Sequence, residues 1–215
     1  MTRPPGSDAS GFLLHVVQRA HRRERCFFGD DDYARYSGWL AEALDASTCA
    51  LHAYVLLPNH VHLLLTARDA AGVSRLVLSA GNRYVQHVQR CSARRGTVWE
   101  GRHRSSLIAS EEYLLACHRY IELHPVRDGI ARTPGEYRWS SYGANALGRR
   151  DAMLTPHRRY VALGANDAVR RAGYRTVFDL CGEADAVVDE IRRGLEREEP
   201  VGDRAGVPGR PVFAY

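Results

Sequence analysis

Hydrophobic positions along this chain switch between two periods, and the switch points mark its elements. Residues 12–18, Phe12-Leu13-Leu14-His15-Val16-Val17-Gln18, form a nearly continuous apolar run that reads as a largely buried strand, followed by an arginine-rich loop from Arg19 to Arg25. From Asp30 to about Ala46 the period changes: acids open the segment, and Tyr33, Tyr36, Leu40, Ala43 and Leu44 recur at helical spacing. Residues 49–57 are again β-branched, aromatic and apolar. They lead through the turn-forming pair Pro58-Asn59 into His60-Val61-His62-Leu63-Leu64-Leu65, which predicts an antiparallel hairpin.

A second helix is predicted over about 73–90, with Leu76, Val77, Ala80, Tyr84 and Val88 on one face and arginines on the other. A short strand follows near 105–109, and Ser110-Glu111-Glu112 then supplies a cap and acids for a helix over 111–123. The order βαββαβα with an internal antiparallel hairpin reads as α+β, with a ferredoxin-like antiparallel sheet and packed helices. Residues 134–142 are turn-rich and aromatic, and helices are expected at about 156–163, 166–180 and 184–197. This divides the chain into one α+β domain over 10–148, a helical C-terminal extension over 149–200, and a Gly- and Pro-rich tail over 201–215 that is expected to be flexible.

At 215 residues and 45% hydrophobic composition the chain can bury a sizeable core. It carries no run long enough to span a membrane, and its start lacks the apolar core of a signal peptide, so a cytoplasmic location is expected. Five scattered cysteines without CxxC spacing argue against a zinc ribbon and against structural disulfides. The net charge of +5 is weak evidence for a polyanionic partner, but its distribution is more telling. Residues 83–104 hold six arginines against Glu100 alone, whereas residues 183–203 hold eight acids against three arginines. All thirty cations are arginine, whose planar fork suits phosphates and base edges.

Candidate chemistry begins with His60 and His62, two apart on a strand and so projecting from one face, with Val61, Leu63 and Leu65 on the other. Taken alone the pair is equally compatible with metal binding and with two ordinary polar strand residues. The 111–123 helix adds partners: Tyr120 and His124 are four apart, about 6 Å along the axis on one helical face. Leu114, Cys117, His118 and Ile121 form a stripe able to bury that helix against the sheet. Pro125 biases His124 away from α geometry and also suits the first turn of a short helix closed by Gly129. From spacing alone Tyr120 reads first as a partly buried tyrosine with its hydroxyl at the rim. Tyr84 is a rival nucleophile, but it lacks a polar partner four residues on.

Four strings then agree with one family: His52-Ala53-Tyr54-Val55-Leu56-Leu57-Pro58-Asn59-His60-Val61-His62-Leu63-Leu64, Val98-Trp99-Glu100-Gly101-Arg102, Arg119-Tyr120-Ile121-Glu122-Leu123-His124-Pro125-Val126-Arg127-Asp128-Gly129 and Trp139-Ser140-Ser141-Tyr142. In order and spacing they resemble the REP-associated tyrosine transposases of the HUH single-tyrosine transposase superfamily, over roughly residues 10–145. The resemblance implies a metal-dependent endonuclease and strand transferase that acts on single-stranded DNA beside imperfect-palindrome hairpins through a 5′-phosphotyrosine. It makes His60 and His62 metal ligands and Tyr120 the nucleophile. The residue four beyond the tyrosine is usually asparagine in the family and here is His124, which either completes a three-histidine site or silences the enzyme. The alternative to a transposase is therefore a domesticated, catalytically silent DNA-hairpin-binding protein. The expected cofactor is a divalent ion, magnesium, manganese or zinc, with three imidazoles favouring the softer ions. Arg83, Arg90, Arg94, Arg95, Arg102 and Arg104 would form a phosphate track on which Trp99 or Tyr142 stacks an unpaired base, with a solvated charged face as the lesser alternative for the arginines. Trp39 and Trp139 read as packing residues. Relatives act as monomers or as dimers; a monomer is favoured here because the C-terminal extension can cover the surface that dimeric relatives share, and the protein would associate with the nucleoid through DNA.

Overall fold

The computed structural model describes residues 11–91, 96–179 and 184–201. Strands β1 (Phe12–Arg19), β2 (Ala50–Leu57), β3 (His60–Ala67) and β4 (Arg104–Leu107) form a four-stranded sheet in the order β2-β3-β1-β4. Each pairing is antiparallel. With α1 (Asp30–Asp45) and α2 (Ala70–Cys91) as the connections, this is the expected α+β, ferredoxin-like topology. The β2–β3 hairpin turns on Pro58 and Asn59 alone, with Leu57 opposite His60.

Period-two alternation sorts the strand residues onto two buried faces. On the first face, Leu14, Val16, Tyr54, Leu56, Val61, Leu63 and Leu65 pack with Tyr36 and Leu40 of α1 and Leu76, Ala80 and Tyr84 of α2. On the second, Leu13, Val17, Ala53, Val55, Leu57 and Leu64 meet Leu114, Cys117, Tyr120 and Ile121 of α3 (Glu112–Glu122). Burial of each such aliphatic side chain is worth about 1.5–3 kcal/mol, so both faces resist any slip of register.

The predicted break after α3 occurs where Pro125 places it. Leu123 separates α3 from α4 (His124–Arg127), Pro125 lies in the first turn of α4, and Gly129 closes the segment at φ +68°. Leu123 itself keeps φ −83° and ψ −7°, so the direction of α3 carries into α4 and His124 stays beside Tyr120. Further on come α5 (Tyr142–Asn145), α6 (Arg158–Val161), α7 (Asp167–Asp179) and α8 (Ala184–Arg197). The turn-rich reading of residues 134–142 ends on the first residue of α5, whose single turn is too short to show a period.

The C-terminal segment is docked, which corrects one expectation. Ile191 and Leu195 of α8 are buried in the second core, and Glu190 accepts a hydrogen bond from the Tyr113 hydroxyl at 2.8 Å. Val201, at the head of the expected flexible tail, is fully buried and bridges to Ile108. Its N–H donates to the Leu107 carbonyl at 2.8 Å, and its carbonyl accepts from the Ala109 N–H at 2.9 Å. Glycines and prolines dominate that tail, yet two backbone hydrogen bonds and one apolar side chain suffice to dock its first residue. The rest of it lies outside the described residues. No helix among the described residues is long and apolar enough to cross a membrane.

Candidate functional site

The second face of the sheet carries the histidines. His60 and His62 project from β3, and α3 with α4 lays Tyr120 and His124 over them. The ligand nitrogens of His60, His62 and His124 all lie within 4.8 Å of one another. Ring centroids are 4.8 Å apart for His60 and His62, 4.8 Å for His60 and His124, and 4.7 Å for His62 and His124. The Tyr120 ring stands edge-on to His62 at 5.9 Å and to His124 at 5.7 Å. Tyr120 is 5% exposed, and the Arg127 guanidinium sits 4.2 Å from the centre of its ring while donating to its backbone carbonyl.

Electrostatics keeps the three imidazoles neutral. Burial lowers His60 to about 4, assisted by the positive charges of Arg19 and Arg23. Burial lowers His124 to about 2, with His60 and Arg127 adding to the effect. His62, fully enclosed, is held well below the ordinary imidazole value by burial and then by His124 and His60. A neutral imidazole offers a lone pair, which is the form a cation requires. His60 Nδ1 is 2.6 Å from Asn59 Oδ1, and His124 Nε2 is 3.6 Å from Asp128 Oδ1. His62 Nε2 and His124 Nδ1 are buried without a hydrogen-bond partner. Unpaired buried nitrogens of this kind are costly, and a divalent ion satisfies them, so the donor set fits one.

Other residues singled out from the sequence are placed differently. Trp99 is a core residue, 6% exposed, with its indole N–H donating to the Gly81 carbonyl at 3.3 Å, so its ring is not a stacking platform. Tyr142 is likewise buried, packing on Phe178 with ring centroids 5.0 Å apart. Arg83 and Arg90 lie on α2, beyond the first core and therefore on the opposite side of the sheet from the histidines. Arg83 pairs with Glu42 and stands 5.6 Å from the Trp39 ring; Arg90 donates to the Gln86 carbonyl at 3.0 Å. Arg102 and Arg104 line a cleft of about 260 Å³ together with Arg19, His103, Glu100 and Glu198. Arg94 and Arg95 lie outside the described residues. Trp39 packs at the edge of the first core, as does Trp139, which stacks on Tyr33 at 5.0 Å. Tyr84 is fully buried, and its hydroxyl donates to the Cys26 carbonyl at 2.5 Å, which removes it as a nucleophile.

Three residues near the site were not evident in the sequence. Arg127, three residues after His124, sits over the Tyr120 ring only because α4 continues α3. His15 of β1 is fully buried, with Nε2 2.9 Å from His62 Nδ1; its signal was a lone imidazole inside an apolar strand. Glu122 is fully buried at the end of α3. Its Oε1 accepts from Ser141 Oγ at 2.6 Å and Asn145 Nδ2 at 2.9 Å, and its Oε2 accepts from the Tyr174 hydroxyl at 2.7 Å. Burial pushes its carboxyl up to about 7 despite those three donors. The network ties the tyrosine helix to α5 and α7.

Comparison with known proteins places this arrangement. No curated protein matches the chain. Among solved structures, a REP-associated tyrosine transposase bound to a REP hairpin is 16% identical with a TM-score of 0.54, over 73% of this chain and 93% of that one. The two share a fold. A Deinococcus radiodurans R1 protein assigned as a transposase is 20% identical with a TM-score of 0.41, over 57% of this chain and 96% of its own. The family model described as "Transposase IS200 like" matches residues 8–124, more than half of the chain and the whole span from β1 to His124. The sheet, the histidine pair and the tyrosine helix all fall inside that match, and the chain belongs to the IS200-like transposase family.

Proposed function

We propose that this transposase cleaves and rejoins single-stranded DNA beside hairpin-forming repeats, with Tyr120 as nucleophile and with His60, His62 and His124 holding a divalent ion. The observation that carries the reading is the convergence of three neutral histidines within 4.8 Å, with the Tyr120 ring edge-on to two of them. An all-imidazole donor set favours manganese or zinc over magnesium. Held by His60, His62 and His124, such an ion would supply Lewis-acid polarisation of the scissile phosphate.

The chain's own residues do the rest. An ordinary tyrosine hydroxyl titrates near 10 and is a weak nucleophile at neutral pH, so its attack depends on placement and on nearby positive charge. Arg127 supplies that charge, and the edge-on histidines fix the ring. Attack joins Tyr120 to the 5′-phosphate and releases a 3′-hydroxyl. The phosphotyrosine keeps the energy of the phosphodiester, so a second 3′-hydroxyl reverses the reaction at a new junction without a nucleotide cofactor. Arg19, Arg102 and Arg104 around their cleft are the best placed to hold the DNA backbone, whereas Arg83 and Arg90 would serve only a strand that wraps past the sheet edge. Residues 10–148 form the catalytic unit in this reading. The extension from 149 packs against α3 and so braces the nucleophile within one chain, which suits a monomer.

The test is a hairpin oligonucleotide with a single-stranded flank, incubated with protein and manganese and resolved under denaturing conditions. A covalent adduct with the native chain, lost on chelation and in Tyr120→Phe, is the expected result. Hairpin binding by both proteins with no adduct in either would leave a silent hairpin-binding protein instead.

A further inference from the structure

Metal-binding histidines hold their orientation through the second ring nitrogen, which donates its proton to an acceptor outside the site. One of the three candidate ligands has such an acceptor in hydrogen-bond reach, and a second has a carboxylate just beyond it. His60 Nδ1 lies 2.6 Å from Asn59 Oδ1, and His124 Nε2 faces the Asp128 carboxylate at 3.6 Å. For His62 the corresponding atom is Nδ1, and it faces no oxygen; it is 2.9 Å from Nε2 of His15.

His15 interrupts the apolar middle of β1, between Leu14 and Val16, and is fully buried. Its β1 register puts it diagonally across from His62, since Val17 pairs with His62 and His15 with Leu64. Its ring packs 5.0 Å from the His62 ring and 5.6 Å from the Tyr120 ring. It stands outside the group whose ligand atoms converge. Each nitrogen pair shares one proton, so two arrangements exist. Either His15 donates, leaving the His62 proton on the buried Nε2 where it blocks coordination, or His62 Nδ1 donates to His15 and frees the Nε2 lone pair. Only the second leaves His62 Nε2, which has no hydrogen-bond partner, available to a cation.

We infer that His15 is a positioning residue, the acceptor that holds His62 in its Nδ1-protonated form with Nε2 toward the ion. The inference rests on the reading that His60, His62 and His124 bind the ion. It accounts for a buried imidazole that costs the fold a polar group with an unpaired nitrogen, Nδ1.

The experiment measures zinc and manganese affinity in His15→Phe, His15→Leu and His15→Gln, beside wild type and His60→Ala. Metal-free circular dichroism and melting are recorded for each. His15→Phe and His15→Leu remove the acceptor and are expected to bind the ion roughly 10–100-fold more weakly. His15→Gln places an amide oxygen near the same point and is expected to recover most of that loss. In the zinc-loaded wild type, long-range proton–nitrogen NMR is expected to show the His62 proton on Nδ1. Folded Phe and Leu variants with wild-type affinity would overturn the inference, as would a His62 bound through Nδ1. The NMR result decides the matter even if the substitutions prevent folding. Absence of zinc or manganese binding in wild type, or binding unaffected by His60→Ala, would instead overturn the three-histidine reading itself.

Discussion

Acidification from pH 6.5 to 5.5 should destabilise the metal-free protein, because this fold buries imidazoles in their neutral form. Burial lowers His15 to about 3 and His52 to about 4, and it is also the main cause of the low values at His60 and His124. In the unfolded chain each titrates near 6.5, so below that pH the unfolded state binds protons that the folded state refuses. Stability is therefore intact above pH 6.5 and is lost progressively as pH falls toward the folded values. Over the single unit from 6.5 to 5.5 each fully buried histidine costs about 1 kcal/mol, and the partly exposed His60 and His124 cost about half as much. Glu122 acts with the opposite sign: its carboxyl, pushed up to about 7, takes up its proton in the fold first and so regains about 1 kcal/mol over the same unit. The net loss is about 2 kcal/mol, and His62 and His118, both held well below the ordinary value, deepen it. Urea unfolding in the presence of a chelator measures this directly as a fall in the midpoint. A midpoint that is unchanged or higher at pH 5.5 would refute the claim that these imidazoles are buried and neutral.

Two further predictions concern the parts that brace the site. Tyr174→Phe removes the hydroxyl that donates to Glu122 and stands 3.0 Å from His118 Nδ1, leaving two buried groups short of a partner. It should cost about 2 kcal/mol or more in urea unfolding, and a neutral result would mean that the network is dispensable. Gly194→Ala places a Cβ 2.4 Å from Val201 Cγ2 and 2.8 Å from Ser106 Oγ. Despite the gain of up to about 1 kcal/mol in helix propensity, it should lower thermal stability and expose the backbone amides at Leu107 and Val201 to hydrogen exchange.

Much of the fold was written in local pattern. The four strands and α1, α2 and α3 follow from periodicity, and the hairpin from a turn pair between two apolar runs. The His60, His62, Tyr120 and His124 constellation could be assembled because strand and helix spacing each put two of them on one face. What local pattern does not carry is which face of a neighbouring layer a side chain meets. Trp99 and Tyr142 sit near arginines in sequence and so resembled stacking platforms, yet both are enclosed by residues distant in the chain. Arg83 and Arg90 belong to an amphipathic helix whose basic side was legible, but not that the helix covers the sheet face opposite the histidines. His15 shows the converse. A polar residue inside an apolar strand was visible, and only the diagonal register of β1 against β3 reveals its partner. Val201 docks through backbone hydrogen bonds, which leave no trace in composition.

The central claim is that Tyr120 attacks DNA, and the most direct measurement is mass spectrometry of the proteolysed adduct formed with a hairpin oligonucleotide and manganese. The account predicts a nucleotide-bearing peptide that contains Tyr120, with the phosphate on its phenolic oxygen. Attachment at any other residue, or a cut product with no protein-linked end, would contradict it.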